Sequence, residues 1–155
     1  MLKIIHRIGA LVAPLCIALF WTATIVIELW GSPAQVARLK ALIVTPGLWI
    51  LIPAIAMAGA SGMLMSKKRG GRLVEVKKKR MPFVAANGLL VLLPCAIALN
   101  HWAAAGQFDA RFYAVQVVEL IAGPINFILM ALNVRDGLRL AGRLGGARRP
   151  NARTS

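Results

Sequence analysis

Five polar side chains lie inside or at the edges of long apolar stretches, and their chemistry could form a site. They are two carboxylates, one imidazole and two amides, namely Glu28, Asn100, His101, Gln116 and Glu119. An ionisable side chain within an apolar span is a candidate functional residue, because a charge is costly to place in lipid. Together these groups could bind a cation, relay protons or hold the polar edge of a cofactor.

The positions of these residues within their spans predict that they lie at a similar depth. Glu28 is one turn from the end of the first span, and His101 is at the end of the third. Glu119 lies up to two turns inside the fourth span. At about 1.5 Å of rise per residue, all five fall in the outer third of the bilayer. We therefore predict a ligand- or cofactor-binding site in the outer leaflet, with haem b, a quinone or a cation as the ligand.

The two histidines, His6 and His101, are the candidate metal ligands. His6 begins the first span and His101 ends the third, so the thickness of a bilayer, about 30 Å, separates them. They cannot both ligate one iron. A haem would therefore need one of them together with a different second ligand or an open position.

Four apolar stretches must position these residues. The chain has 155 residues, of which 59% are hydrophobic, whereas soluble domains have about 45–50%. Crossing a membrane takes about 20 mainly apolar residues, and in lipid those residues must be helical so that their backbone groups are paired. We predict an all-α integral membrane protein, an antiparallel four-helix bundle over residues 1–134. Its spans are 8–30, 46–65, 82–102 and 112–134, and a basic tail follows at 135–155.

The basic residues predict the orientation. Sixteen lysines and arginines lie before the first span, between the second and third, or after the fourth, and three lie on the other side. By the positive-inside rule both termini face the cytoplasm, in a bacterial inner membrane. Eight of the sixteen form a predicted cytoplasmic loop at 66–81 that could bind anionic lipid headgroups. They are Lys67, Lys68, Arg69, Arg72, Lys77, Lys78, Lys79 and Arg80.

The net charge of +14 could also indicate a nucleic-acid partner, but no aromatic residues interleave with the basic run to stack on bases. We therefore expect no nucleic-acid binding.

Residues 32–45 predict a short interfacial helix between the first two spans. Ser32 can cap it, Pro33 can begin it, and Val36 and Leu39 have near-helical spacing. Each span also contains an internal proline, at Pro14, Pro53, Pro94 and Pro124. Prolines kink helices, and four kinks could open a central cavity.

Two resemblances bear on this layout. The stretch 111–119, followed by Asn126 and 133–138, resembles small bacterial inner-membrane proteins of unassigned function. The Thr45-Pro46 entry to the second span, with a basic segment before the third, is similar in layout to HemJ-type and copper-resistance-D-like membrane proteins. Those haem-associated proteins have a histidine well inside the first helix, where this chain has His6 at the edge. The resemblance therefore implies the architecture and not the active site.

Three functions are compatible with these features. The first is a membrane protein that binds a ligand at the outer polar site, with a possible link to redox chemistry. The second is an accessory or assembly subunit of a larger membrane complex, which would have partner membrane subunits. The third is a small proton-coupled transporter acting as a homodimer. No motif of a known catalytic centre stands out among the residues.

Overall fold

The structure, a computed structural model, describes residues 1–66 and 72–140. Within these residues every regular element is helical. The helices are α1 (Leu2–Trp30), α2 (Pro33–Leu42), α3 (Trp49–Ser66), α4 (Arg72–Ala86), α5 (Leu93–Ala104) and α6 (Ala110–Leu140). Two wider π-helical turns, Ile43–Leu48 and Asn87–Leu92, join α2 to α3 and α4 to α5.

Four helical stretches in the described residues are long and apolar enough to cross a membrane. They are Lys3–Trp30, Pro33–Leu64, Lys79–Ala104 and Ala110–Arg139. The prediction of an all-helical chain with four apolar spans is confirmed.

Helix α2 begins where the sequence predicts. The Ser32 hydroxyl accepts a hydrogen bond from the Gln35 amide, and the Gln35 side chain accepts one from the Ser32 amide. This reciprocal arrangement gives partners to backbone amides that have none inside the helix. Pro33 has no N–H, but an N–H in the first turn would have no partner within the helix anyway. Beyond α2 the backbone of Thr45 is extended, with φ −138° and ψ 111°. Proline disfavours a helical conformation in the residue before it, so the chain bends ahead of Pro46 and α3 starts in a new direction.

Helix α4 begins at Arg72, ahead of the predicted span start at residue 82. The loop predicted for 72–81 is wrong, because these residues are helical. Residues 67–71, which carry Lys67, Lys68 and Arg69, lie outside the described residues. The widened turn between α4 and α5 precedes Pro94. Proline lacks the N–H of a regular helical bond, and its ring crowds the carbonyl four residues earlier.

An apolar core joins α1, α3, α4 and α6. Its fully buried members are Ala13, Ile17, Ala54, Val84 and Met130. The backbones of α1 and α3 approach each other closely, because Gly9 leaves room for the α3 backbone. A Cβ at Gly9 would lie 2.6 Å from the Ala54 carbonyl oxygen and 2.9 Å from the Ala58 nitrogen.

A second apolar cluster joins α2, α5 and α6 at the opposite end of α1. It consists of Val36, Leu99, Ala103 and Phe112. It packs α2 against the beginning of α6, which sets the position of the polar side chains on both helices.

Helix α6 continues past the predicted end of the fourth span at 134 to Leu140. The predicted tail is therefore helical over 135–140, and 141–155 lie outside the described residues. Asp136 accepts a hydrogen bond from Arg80 at 2.7 Å and is 3.4 Å from Arg135. Asp136 is 1% exposed, so this ion pair fixes α4 against α6.

Substitution of Gly9 by Ala should destabilise the fold, because the new methyl group would push α1 away from α3. Overpacking of this kind costs about 1–3 kcal/mol. The matched control is Gly59→Ala, where the Cβ would meet Met81 Cε at an ordinary 3.7 Å. Both changes gain the same helix propensity. We expect Gly9→Ala to lower the unfolding midpoint in detergent. Gly59→Ala should leave the midpoint unchanged or raise it. Equal midpoints would show that the α1–α3 contact is not tight.

Candidate functional site

The Lys40–Glu119 ion pair is the centre of a polar cluster between α1, α2 and α6. Lys40 lies one turn from Val36 on the buried face of α2 and is 1% exposed. Its Nζ is 2.8 Å from Glu119 Oε2, and Gln116 Nε2 donates to the same oxygen at 3.2 Å. The Glu28 carboxylate lies within electrostatic range of both Lys40 and Glu119.

Three of the five residues predicted for the outer site therefore come together. Glu28, Gln116 and Glu119 share the cluster. His101 does not join them, since its side chain is exposed while the buried face of α5 carries Ala96, Leu99 and Ala103. Asn100 is half-buried, next to His101 in α5.

Lys40 is the residue that the sequence interpretation missed. In the sequence Lys40 is one of only three basic residues on the side opposite the other sixteen. The one signal for its burial was the four-residue spacing from Val36, which places both side chains on the same face of α2. Its role is electrostatic, because a buried ion pair is stable when each charge has its partner and very unfavourable when one is removed.

A cavity of about 1400 Å³ lies between α1, α3, α6 and the α4–α5 segment. Most of its walls are apolar, with Phe20, Leu51 and Ile55 among them. Its polar lining is sparse and consists of Lys3, His6, Arg7, Thr24, Glu119, Asn126 and Asn133. The Trp21 indole donates to the Leu120 carbonyl at 3.0 Å, which sets Glu119 level with that part of α1. Arg7 is therefore about 20 Å away along the helix, so the cavity extends through most of the protein.

Asn126 lines the middle of this cavity and has no partner for its amide. It is 0% exposed, and among the described residues neither Nδ2 nor Oδ1 has a hydrogen-bond partner. Gly88, in the widened turn, faces it, and a Cβ there would lie 3.8 Å from Nδ2. Buried polar atoms are nearly always paired. The Asn126 amide is therefore a polar group just behind the cavity wall, and a ligand reaches it only if the side chains that cover it move aside.

Two further asparagines differ in which of their side-chain amide atoms are hydrogen-bonded. Asn87 Nδ2 donates to the Ala122 carbonyl at 2.9 Å. Asn133 Nδ2 contacts Met81 Sδ at 3.4 Å, and its Oδ1 is buried with no partner in the described part of the chain. The cavity wall therefore offers a second acceptor nearer to the His6 end.

His6, unlike His101, lines the cavity. Its Nδ1 is 3.1 Å from the Ala58 carbonyl oxygen and 3.0 Å from Ser61 Oγ. The Ser61 hydroxyl donates to the Met57 carbonyl, so Ser61 accepts from His6. Both partners of Nδ1 are acceptors, and Nδ1 therefore carries the proton. In a neutral ring this makes Nε2 the nitrogen that could ligate a metal. No group of three or more metal-ligating side chains occurs in the described residues.

Of the side chains predicted to bind lipid headgroups, two are described. Lys79 is exposed, and Arg80 pairs with Asp136 at 2.7 Å. Arg80 therefore has a structural partner inside the protein.

Comparisons with protein-family models, with curated proteins and with solved structures found no match to this chain. The geometry of the polar cluster and of the cavity therefore supplies the evidence on function.

Replacement of Lys40 by Met should destabilise the protein strongly, because it leaves the Glu119 carboxylate buried without its cation. Breaking such a pair costs about 3–5 kcal/mol, whereas replacing both partners by apolar residues is often neutral. We expect Lys40→Met to lower the unfolding midpoint and the Lys40→Met/Glu119→Leu double variant to recover most of the loss. Arg38→Met on the same helix is the matched control. If the two single variants behave alike, the ion pair contributes little.

Proposed function

We propose that this chain is a multi-pass membrane protein that binds a small apolar ligand with carbonyl groups, of the quinone class, in the cavity between its helices. The observation that carries the proposal is the buried Asn126 amide, which borders a mostly apolar cavity and has no hydrogen-bond partner among the described residues. Small-molecule sites have this character, in which apolar walls supply affinity and a few polar groups fix the orientation.

In this proposal the four spans form an antiparallel bundle in a bacterial inner membrane, with both termini in the cytoplasm. The asymmetry of the lysines and arginines supports the orientation. Trp30, Trp49 and Tyr113 are largely exposed near helix ends, as residues of an aromatic belt would be. Helix α2 then lies at the outer interface, with Arg38 toward the headgroups and Lys40 toward the cluster.

The chemistry of the cavity favours a quinone over a strongly charged ligand. A quinone carbonyl accepts from an amide N–H, which Asn126 Nδ2 can supply. The aromatic side chains Phe20 and Trp21 line the cavity and could stack on a flat ring. The volume of about 1400 Å³ exceeds the usual size of about 300–1,000 Å³, which leaves room for an apolar tail. Helices α3 and α4 make little contact, so the ligand would enter between them from the lipid.

The test is a titration of the purified protein with a short-chain benzoquinone, followed by quenching of Trp21 fluorescence. We expect Asn126→Leu to weaken binding about tenfold, as the loss of one hydrogen bond to a buried group predicts. Asn126→Leu should also leave the unfolding midpoint unchanged or raise it, because it removes two buried polar atoms that have no hydrogen-bond partner among the described residues.

Asn100→Leu is the matched control for this titration, since Asn100 does not line the cavity. Trp21→Phe should abolish most of the quenching, because Trp21 lines the cavity and Trp30, Trp49 and Trp102 do not. Equal affinities of the wild-type, Asn126→Leu and Asn100→Leu proteins would exclude Asn126 as the ligand-binding group.

Haem b is a second candidate ligand, and the orientation of His6 favours it. The Nδ1 hydrogen bond to the Ala58 carbonyl holds the ring as metal-ligating histidines are usually held. Met81 also lines the cavity, and a thioether is a known axial ligand of haem.

The visible spectrum of protein purified from haem-replete cells tests this candidate. A haem would give a Soret band, with sharp α and β bands after reduction by dithionite. We expect His6→Ala to abolish these bands and His101→Ala to retain them, because His101 is exposed outside the cavity. A featureless wild-type spectrum would rule out haem and leave the quinone proposal in place.

A further inference from the structure

The polar cluster contains one more negative charge than positive. With its side chains ionised, Lys40 neutralises one carboxylate, and Glu28 and Glu119 together supply two. Lys40 and Glu119 are the charges that act on Glu28 in the described part of the chain. Helix α3, which packs on α1, carries no titratable side chain. From α5, Cys95 lies within range of Glu119 and Lys40.

Two acceptor oxygens in this cluster have no donor. Glu28 Oε1 and Gln116 Oε1 are both buried, and neither has a hydrogen-bond partner among the described residues. Gln116 is 3% exposed, and its NH₂ group must face Glu119, because the amide oxygen there would oppose a carboxylate. Its Oε1 is therefore a hydrogen-bond acceptor fixed beside the ion pair, and no described residue donates to it.

The surplus charge and the unused acceptors indicate the same missing group. An uncompensated carboxylate inside an apolar span is unfavourable, and so is a buried acceptor without a donor. A single positive charge or proton beside Glu28 would correct both. A second basic side chain among the described residues does not do so, since Arg38 and Arg111 are both exposed.

We propose that this cluster binds one monovalent cation next to Glu28, either a proton on its carboxylate or an alkali-metal ion held by Glu28 and Gln116. The cation joins Lys40 in balancing the two carboxylates. A proton needs two oxygens, one to carry it and one to accept it. An alkali-metal ion needs further oxygens from water. This site requires no ligand in the cavity and stands independently of quinone binding.

The unfolding midpoint in mild detergent tests the proposal, measured from pH 5 to pH 8.5 in choline chloride and again in sodium chloride. A cation bound only by the folded state stabilises it by mass action. If the cation is a proton, the stabilisation is full at low pH and declines as pH rises, in both salts. If it is sodium, adding it at pH 8.5 raises the midpoint. A tenfold change in the ratio of occupied to empty sites should shift the midpoint by about 3 °C or more.

Glu28→Gln is the decisive variant, because the neutral amide removes the surplus charge at nearly constant shape. We expect it to fold, to lose the dependence on pH and salt, and to be at least as stable as the wild type at pH 8.5. Glu75→Gln is the matched control, because Glu75 is an exposed carboxylate in the first turn of α4. It should keep the wild-type dependence.

Three results would overturn the proposal. One is a wild-type midpoint that responds to neither pH nor sodium. Another is a Glu28→Gln protein that keeps the full wild-type dependence. The last is a Glu28→Gln protein that fails to fold, since the amide should be tolerated better than an uncompensated carboxylate.

Discussion

Lys40 and Glu119 are 79 residues apart in the chain and their charged atoms are 2.8 Å apart in the structure. This ion pair joins α2, the connection between the first two spans, to α6, the last. Because a buried charge without a partner is far less stable than a paired one, neither helix can shift without the other. The ion pair between Arg80 and Asp136 joins α4 to α6 in the same way, near the other end of α6. The last helix is thus held by an ion pair at two levels, and α1, α4 and α5 pack against it.

The rest of the packing follows from these two pairs and from one glycine. Gly9 brings the α1 and α3 backbones into direct contact, and the apolar core lies where both meet α4 and α6. Among the described residues no ion pair links α3 to α4, and the cavity is bordered by both of them together with α1 and α6. A protein whose helices were all closely packed would leave no such space. In the described residues α3 and α4 pack loosely, and the cavity that Asn126 borders lies beside them.

The cluster and the cavity place two kinds of polar group in one protein. The cluster is charged, with an ion pair and a surplus carboxylate, and it suits small cations. The cavity is mostly apolar, and Asn126 and Asn133 border it between the charged groups near its two ends, Glu119 at one and Lys3 and Arg7 at the other. Glu119 belongs to both, since it pairs with Lys40 and also lines the cavity.

The depth of a residue along its helix could be predicted from the sequence, and the face it occupies could not. Glu28, Gln116 and Glu119 come together as expected, because counting residues from the ends of the spans gives their level. His101 has a similar level but lies two residues from Leu99 and from Ala103, both of which are buried. An offset of two residues points to the opposite side of a helix. His101 is therefore exposed, and His6 lines the cavity instead.

The sequence by itself determined the class of the protein, its four apolar helices and the start of α2. Apolar runs and capping residues act on consecutive residues, so their effects can be read along the chain. Only the tertiary structure decided that Lys40 is buried against Glu119, that Arg80 pairs with Asp136 and that no described residue pairs with the Asn126 amide. Each of these depends on how helices distant in the sequence dock, and docking is set by side-chain shapes and charges summed over the whole interface.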